Sequence, residues 1–223
     1  MTRYGFRQAV GAFFVAETRA LSRYLPAGLF PLEARPGCGV LAITAFDFVD
    51  SEVGPYGELV LSVVVPPWAG RDEELPETAF FPFFLGTTTE VSREHARDRW
   101  LLPAHDVCLS IDITRSGVDR RVRAAEHGEE ILSLTTPLPA GPPSTRLYQC
   151  FSADAGSLHR VGIQVDGGFR DAEEELGRLE LSHHGLAREI AGLLEDDIPF
   201  REQAMDAGEQ RFGELEKHME LVS

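Results

Sequence analysis

Val49-Asp50-Ser51-Glu52-Val53-Gly54-Pro55-Tyr56-Gly57-Glu58-Leu59-Val60-Leu61-Ser62-Val63-Val64-Val65 decides how this chain is read. Its first half is turn chemistry: Asp50 and Ser51 bond their own backbone, Gly54 accepts a positive φ, and Pro55 fixes φ. Its second half is apolar and β-branched, short enough for one buried strand and too short for a helix. Glu58 stands where the turn becomes the strand. An ionised, unpartnered carboxylate on a buried strand costs several kcal/mol, so this one must be paired, hydrated or protonated. That placement marks a candidate site, although a turn-proximal carboxylate capping backbone N–H groups would look the same in sequence.

Outward from this stretch, residues 8–15 and 39–48 read as strands, with a short helix over 16–25 that Pro26 stops. Pro66-Pro67 ends the central strand, and residues 68–78 form an acidic loop. Residues 79–85 are the most apolar patch, and Pro82 inside it implies an edge, a bulge or a strand start. Thr87 and Glu90 fit a capping box opening a helix over 87–100. Residues 107–113, 120–126 and 130–136 read as a meander turning at Gly117 and His127-Gly128. Residues 137–144 are a connector, and 148–151 and 156–166 add strands. Beyond 171, the spacing of Leu186, Ile190, Leu193 and Leu194, and of Met205, Phe212, Leu215 and Met219, predicts two acidic helices. The fold class expected is α+β, an antiparallel, barrel-like sheet with a few flanking helices and a helical acidic tail over 171–223 packed on a single domain of residues 1–223.

The chain has 223 residues and a formal net charge of −15. That balance argues against nucleic acid or an anionic membrane as partner. Residues 171–223 hold 15 acidic and 5 basic side chains, a net of −10. No apolar run approaches the roughly 20 residues that cross a bilayer, so a cytoplasmic location is expected. The three cysteines, Cys38, Cys108 and Cys150, form no paired spacing and read as free thiols. His183-His184 lacks the spacing of a zinc site, and Asp166-Gly167-Gly168 is a turn rather than a phosphate loop. No metal and no cofactor is expected.

Val53-Gly54-Pro55-Tyr56 with Glu58-Leu59, Leu25-Pro26-Ala27-Gly28-Leu29 and Arg99-Trp100-Leu101-Leu102-Pro103 resemble corresponding stretches of the acetoacetate decarboxylase-like family. The resemblance implies a closed or cone-shaped barrel with the pocket inside, a small-molecule substrate and a homo-oligomer. It implies that Glu58 lines the pocket. Counted back from Leu25-Pro26, Arg7 falls where the family holds the substrate carboxylate with an arginine, whose planar fork suits that task; a solvated surface arginine is the competing reading. A second pocket glutamate of the family maps to Ile43.

One departure governs the chemistry. Decarboxylating members carry a Schiff-base lysine just after the proline matching Pro103, where this chain reads Ala104-His105, and its single lysine is Lys217. Imine chemistry on a β-keto acid is therefore excluded at that position. His105 is open to two readings, a general acid or base or a structural histidine. Tyr56, Phe83 and Trp100 complete the expected substrate contacts. The function expected is lysine-independent acid–base chemistry (isomerisation, dehydration or cyclisation) on a carbonyl- or carboxylate-bearing, polyketide-like intermediate of secondary metabolism, with Glu58 and His105 catalytic. The alternatives are a non-catalytic binding protein on the same barrel and, last, a decarboxylase without a Schiff base.

Overall fold

Alternating and β-branched stretches dominate the chain, and the computed structural model, which describes residues 1–71, 73–154 and 156–221, is accordingly built mostly of strands. In chain order the elements are β1 (Thr2–Glu17), α1 (Thr18–Leu21), β2 (Glu33–Arg35), β3 (Cys38–Asp50), β4 (Tyr56–Val65), β5 (Thr78–Thr87) and α2 (Glu90–Trp100). Then come β6 (Ser110–Ser116), β7 (Asp119–Glu126), β8 (Glu129–Pro137), β9 (Pro143–Ala153), β10 (Ser157–Ala172), β11 (Arg178–Leu181), α3 (Gly185–Ala191), β12 (Arg201–Phe212) and β13 (Glu216–Glu220).

Seven strands close a barrel in the order β1-β12-β10-β9-β5-β4-β3, with β3 returning to β1. Closure leaves few free edges. The neighbours are antiparallel except at one seam, where β5 and β9 run parallel through Thr78↔Tyr148, Ala79↔Gln149 and Phe80↔Cys150. The sheet is thus mixed, not purely antiparallel as expected. A parallel pair needs a long crossover, and here α2 and the meander β6–β8 supply it. The meander joins β11 in a separate four-stranded sheet, order β11-β8-β7-β6.

The main core lies between the barrel's outer wall and this second sheet. Leu59, Leu61 and Val63 of β4 join Ile43 of β3, Val122 of β7, Leu132 and Leu134 of β8 and Ile190 of α3 in one buried cluster. Arg120 of β7 is fully buried in the same layer, donating to the Leu138 carbonyl and pairing with Asp206 of β12 at 2.7 Å. This pair fastens the second sheet to the barrel.

Several expectations need correction. The C-terminal stretch is not a helical tail packed on a barrel. Only α3 is helical there, and β12 is a barrel strand between β1 and β10; residues 222–223 lie outside the described residues. The helix after β1 is one turn, α1, continued by a 3-10 turn at Ser22–Tyr24. Helix α2 is capped by Thr89, whose side chain accepts from Ser92 N at 3.2 Å, while Thr87 still belongs to β5. The opening turn forms as its residues dictate: Gly54 has φ 80°, and Ser51 Oγ donates to the Gly54 carbonyl at 2.7 Å. Among the described residues no helix is long and apolar enough to cross a membrane.

Candidate functional site

Strand alternation sends Leu59, Leu61 and Val63 outward and Glu58, Val60 and Ser62 into the barrel. There they line a hollow of about 100 Å³. Thr44 and Phe46 of β3, Phe80 and Pro82 of β5 and Tyr148 and Cys150 of β9 form further wall. Gln203, Met205, Gln210 and Phe212 of β12 close it, together with Leu102 just past α2. Most of this lining is apolar or aromatic, with a few convergent polar groups, the composition expected of a small-molecule site.

Glu58 is the one ionisable carboxylate in that lining. It keeps some accessible surface because it faces the hollow, yet protein encloses it. Burial pushes its pKa up from 4.5 to about 7, and a hydrogen bond from the Tyr56 hydroxyl at 3.4 Å pulls weakly the other way. A carboxyl held near neutrality can both accept and donate a proton at ordinary pH. Burial pushes the Cys150 thiol up to about 12, and the charge of Glu58 adds to the effect, so this cysteine is no ready nucleophile. Burial likewise pushes the Tyr148 phenol up to about 12. The Gln203 side chain stands beside the phenol oxygen, but among the described residues the hydroxyl proton has no acceptor of good geometry, which leaves a donor at the cavity wall.

The expected site residues divide. Glu58 faces the hollow, and Tyr56 touches it by donating to Glu58. Trp100 is buried beneath it, with Nε1 donating to Tyr4 Oη at 2.7 Å. Arg7 lies elsewhere. Phe6 faces inward, so its neighbour faces out: the Arg7 side chain is 69% exposed and pairs with Asp47 at 3.3 Å. It borders a separate open cleft with Asp47 and Asp112. His105 also points away, its Nε2 3.1 Å from Glu126 and its ring 5.2 Å from that of Phe84. Phe83 packs against Tyr24 in a tilted pair with ring centroids 4.2 Å apart, outside the hollow. Ile43 belongs to the outer core, and its neighbour Thr44 faces inward.

Ala104 packs on Val60 and Leu85 at the cavity's edge, while Lys217 sits on β13, half exposed and paired with Glu220. His184 caps α3, its Nδ1 accepting from Leu186 N, and among the described residues no His, Cys, Asp and Glu group is arranged to hold a metal. Tyr148, Gln203 and Gln210 were not foreseen. The amides are hidden by the helical reading of residues 171–223, and Tyr148 by its place in a short strand with no motif around it.

No protein-family profile matches this chain, and no curated protein matches it in sequence. Its fold, however, is that of known structures. The acetoacetate decarboxylase from Legionella pneumophila subsp. pneumophila str. Philadelphia 1 superposes with a TM-score of 0.71 at 14% identity, covering 100% of this chain and 89% of that one. The enduracididine biosynthesis enzyme MppR complexed with pyruvate gives 0.66 at 13% identity, over 97% and 90% of the two chains. An acetoacetate decarboxylase-like enzyme from Sphingomonas wittichii RW1 gives 0.57 at 17% identity, over 98% and 93%. At such identities the likeness is one of fold.

Proposed function

We propose that the chain is a single-domain enzyme of the acetoacetate decarboxylase-like group that works by proton transfer rather than through an imine. The observation that carries this reading is Glu58: a carboxyl with a pKa near 7 set into a mostly apolar barrel hollow. The fold comparisons support the same class, since their members are enzymes by name and one was captured with pyruvate. The single lysine lies on β13, away from the hollow, which supports chemistry without a Schiff base.

The substrate is a small carbonyl compound. Among the described residues no Arg, Lys or His lines the hollow, so a substrate carboxylate there would face Glu58 with no cation to offset it. A neutral ketone fits better than the carboxylate that Arg7 was expected to hold. Glu58 removes a proton α to the carbonyl, and the Tyr148 hydroxyl, with the Gln210 amide, donates to the oxygen as charge develops on it, while Gln203 is held by Asp171. Protonation at another carbon completes an isomerisation, and loss of a β-hydroxyl or attack on a second carbonyl completes a dehydration or cyclisation. Such reactions suit an intermediate of secondary metabolism, processed by a cytoplasmic homo-oligomer.

The test is deuterium exchange at the α-carbon of cyclopentanone in D2O, followed by NMR. Wild-type protein should accelerate exchange, and Glu58→Gln should lower the rate by about 10²–10⁴-fold. The outward placement of Arg7 and His105 favours a second reading, a binding protein on the same barrel. Saturable ketone binding with no exchange above buffer would establish that reading instead.

A further inference from the structure

We infer that Tyr4 and His95 form a proton relay that connects Glu58 to solvent through a small second hollow beside the main one. This inference rests on the reading of Glu58 as the proton-transfer group. The second hollow, of about 30 Å³, is large enough to hold a water, and Glu58, Leu102, Gln210 and Phe212 line both spaces. Tyr4, Tyr56 and His95 form its other walls. Tyr4 Oη lies 2.6 Å from His95 Nε2, and that nitrogen lies 3.3 Å from Glu52 Oε1. The Glu52 side chain is 55% exposed, so the series ends in solvent.

Elements far apart in sequence bring these groups together: β1 supplies Tyr4, α2 supplies His95 and Trp100, and the turn before β4 supplies Glu52. A buried tyrosine needs one partner to satisfy its hydroxyl. Tyr4 has two, because Trp100 Nε1 donates to its oxygen at 2.7 Å while His95 occupies another direction. The Trp100 bond holds the oxygen in place and leaves the hydroxyl proton free to turn toward His95 or toward the hollow. Around His95 stand Tyr4, Glu52, Asp98 and Arg99. Burial, opposed by Glu52, lowers the His95 pKa, so the ring gives up a proton readily once it is charged. Burial raises the Tyr4 pKa far above the usual phenol range, so Tyr4 passes a proton only while receiving another.

The transfer balances. His95, protonated from solvent, gives its Nε2 proton to Tyr4 Oη as the Tyr4 hydroxyl gives its own to a water in the second hollow. That water then protonates the Glu58 carboxylate. Each step breaks one N–H or O–H bond and forms another. His95, left neutral, regains a proton from solvent beside Glu52, and the reverse sequence discharges Glu58 after it has taken a substrate proton.

Two measurements test the relay. In cyclopentanone exchange, His95→Ala should be slowed about tenfold or more, and added imidazole should restore much of the rate, which would not follow loss of a merely structural side chain. Tyr4→Phe should be slowed similarly without imidazole rescue. Independently of any ketone, the ¹⁵N resonances of His95 should show an inflection at the Glu58 titration that vanishes in Glu58→Gln. Wild-type rates in His95→Ala, or a His95 titration identical in wild type and Glu58→Gln, would overturn the relay. No exchange in wild type with the ¹⁵N coupling intact would sink the base reading of Glu58 while leaving the proton connection standing.

Discussion

The Tyr56 hydroxyl and the Glu58 carboxylate, two residues apart on one strand, meet at 3.4 Å, and this is the one side-chain hydrogen bond that Glu58 makes among the described residues. The bond favours the ionised carboxylate and so works against burial. Tyr56→Phe should therefore move the Glu58 titration to higher pH. A pH profile of ketone exchange should show its rise displaced in that direction, and an unmoved midpoint would mean the contact has no energetic weight.

Glu58 should also imprint itself on stability. Its folded pKa, about 7, lies above the ordinary value of 4.5. Stability linked to its proton is thus complete below pH 4.5 and lost as the pH rises through 7, on the order of 3 kcal/mol in all. Glu58→Gln removes that loss. Urea melts should find the variant and wild type similar at pH 4.5 and the variant more stable at pH 8.5.

Tyr148 offers a sharper separation of folding from function. Among the described residues its buried hydroxyl makes no hydrogen bond of good geometry, so Tyr148→Phe removes a poorly met polar group rather than a strong bond. Stability should hold or rise by about 1 kcal/mol, while ketone exchange falls by about tenfold or more. A large drop in Tm with unchanged exchange would contradict the role given to it.

Glu202 is buried completely on the outer face of β12, and no hydrogen bond of good geometry reaches either oxygen. Burial raises its pKa, against a weaker opposing effect of the Gly177 amide. Its linked stability is therefore present at low pH and lost as pH rises through the raised value. Glu202→Gln should stabilise the protein by about 1–3 kcal/mol at pH 8 and by little at pH 4, read from thermal melts at both.

How much of this was legible depended on whether a strand kept its period. The central strand did: with Leu59, Leu61 and Val63 outward, Glu58 and Ser62 had to face the other way. Bulges broke the rule elsewhere. In β5 the ladder runs Ser62↔Pro82 then Leu61↔Phe84, and Phe83 is left over, so Phe80 and Pro82 face the hollow before the bulge and Leu85 after it. In β1 a register shift falls at Arg7, between Phe6↔Phe48 and Gln8↔Asp47. In β12 the shift against Asp166 and Gly168 flips the phase, so Gln203 and Met205 share a side with Gln210 and Phe212. Met205 and Phe212, seven residues apart, therefore face one way. That imitates helical spacing, and it misled the reading of the C-terminal stretch. A bulge is an extra residue in one strand relative to its partner, and a single sequence does not say which strands are partners.

The parallel seam between β5 and β9 has a consequence for traffic. It holds the wall through three residue pairs, whereas β1 and β12 share eleven, and three of its members, Phe80, Tyr148 and Cys150, face the hollow. If the staves part anywhere, the shortest ladder is the one to unzip, and it opens directly onto the chamber. Guests would then come and go through the side of the cask rather than its mouth, and a disulfide stapled across that joint would trap whatever was inside.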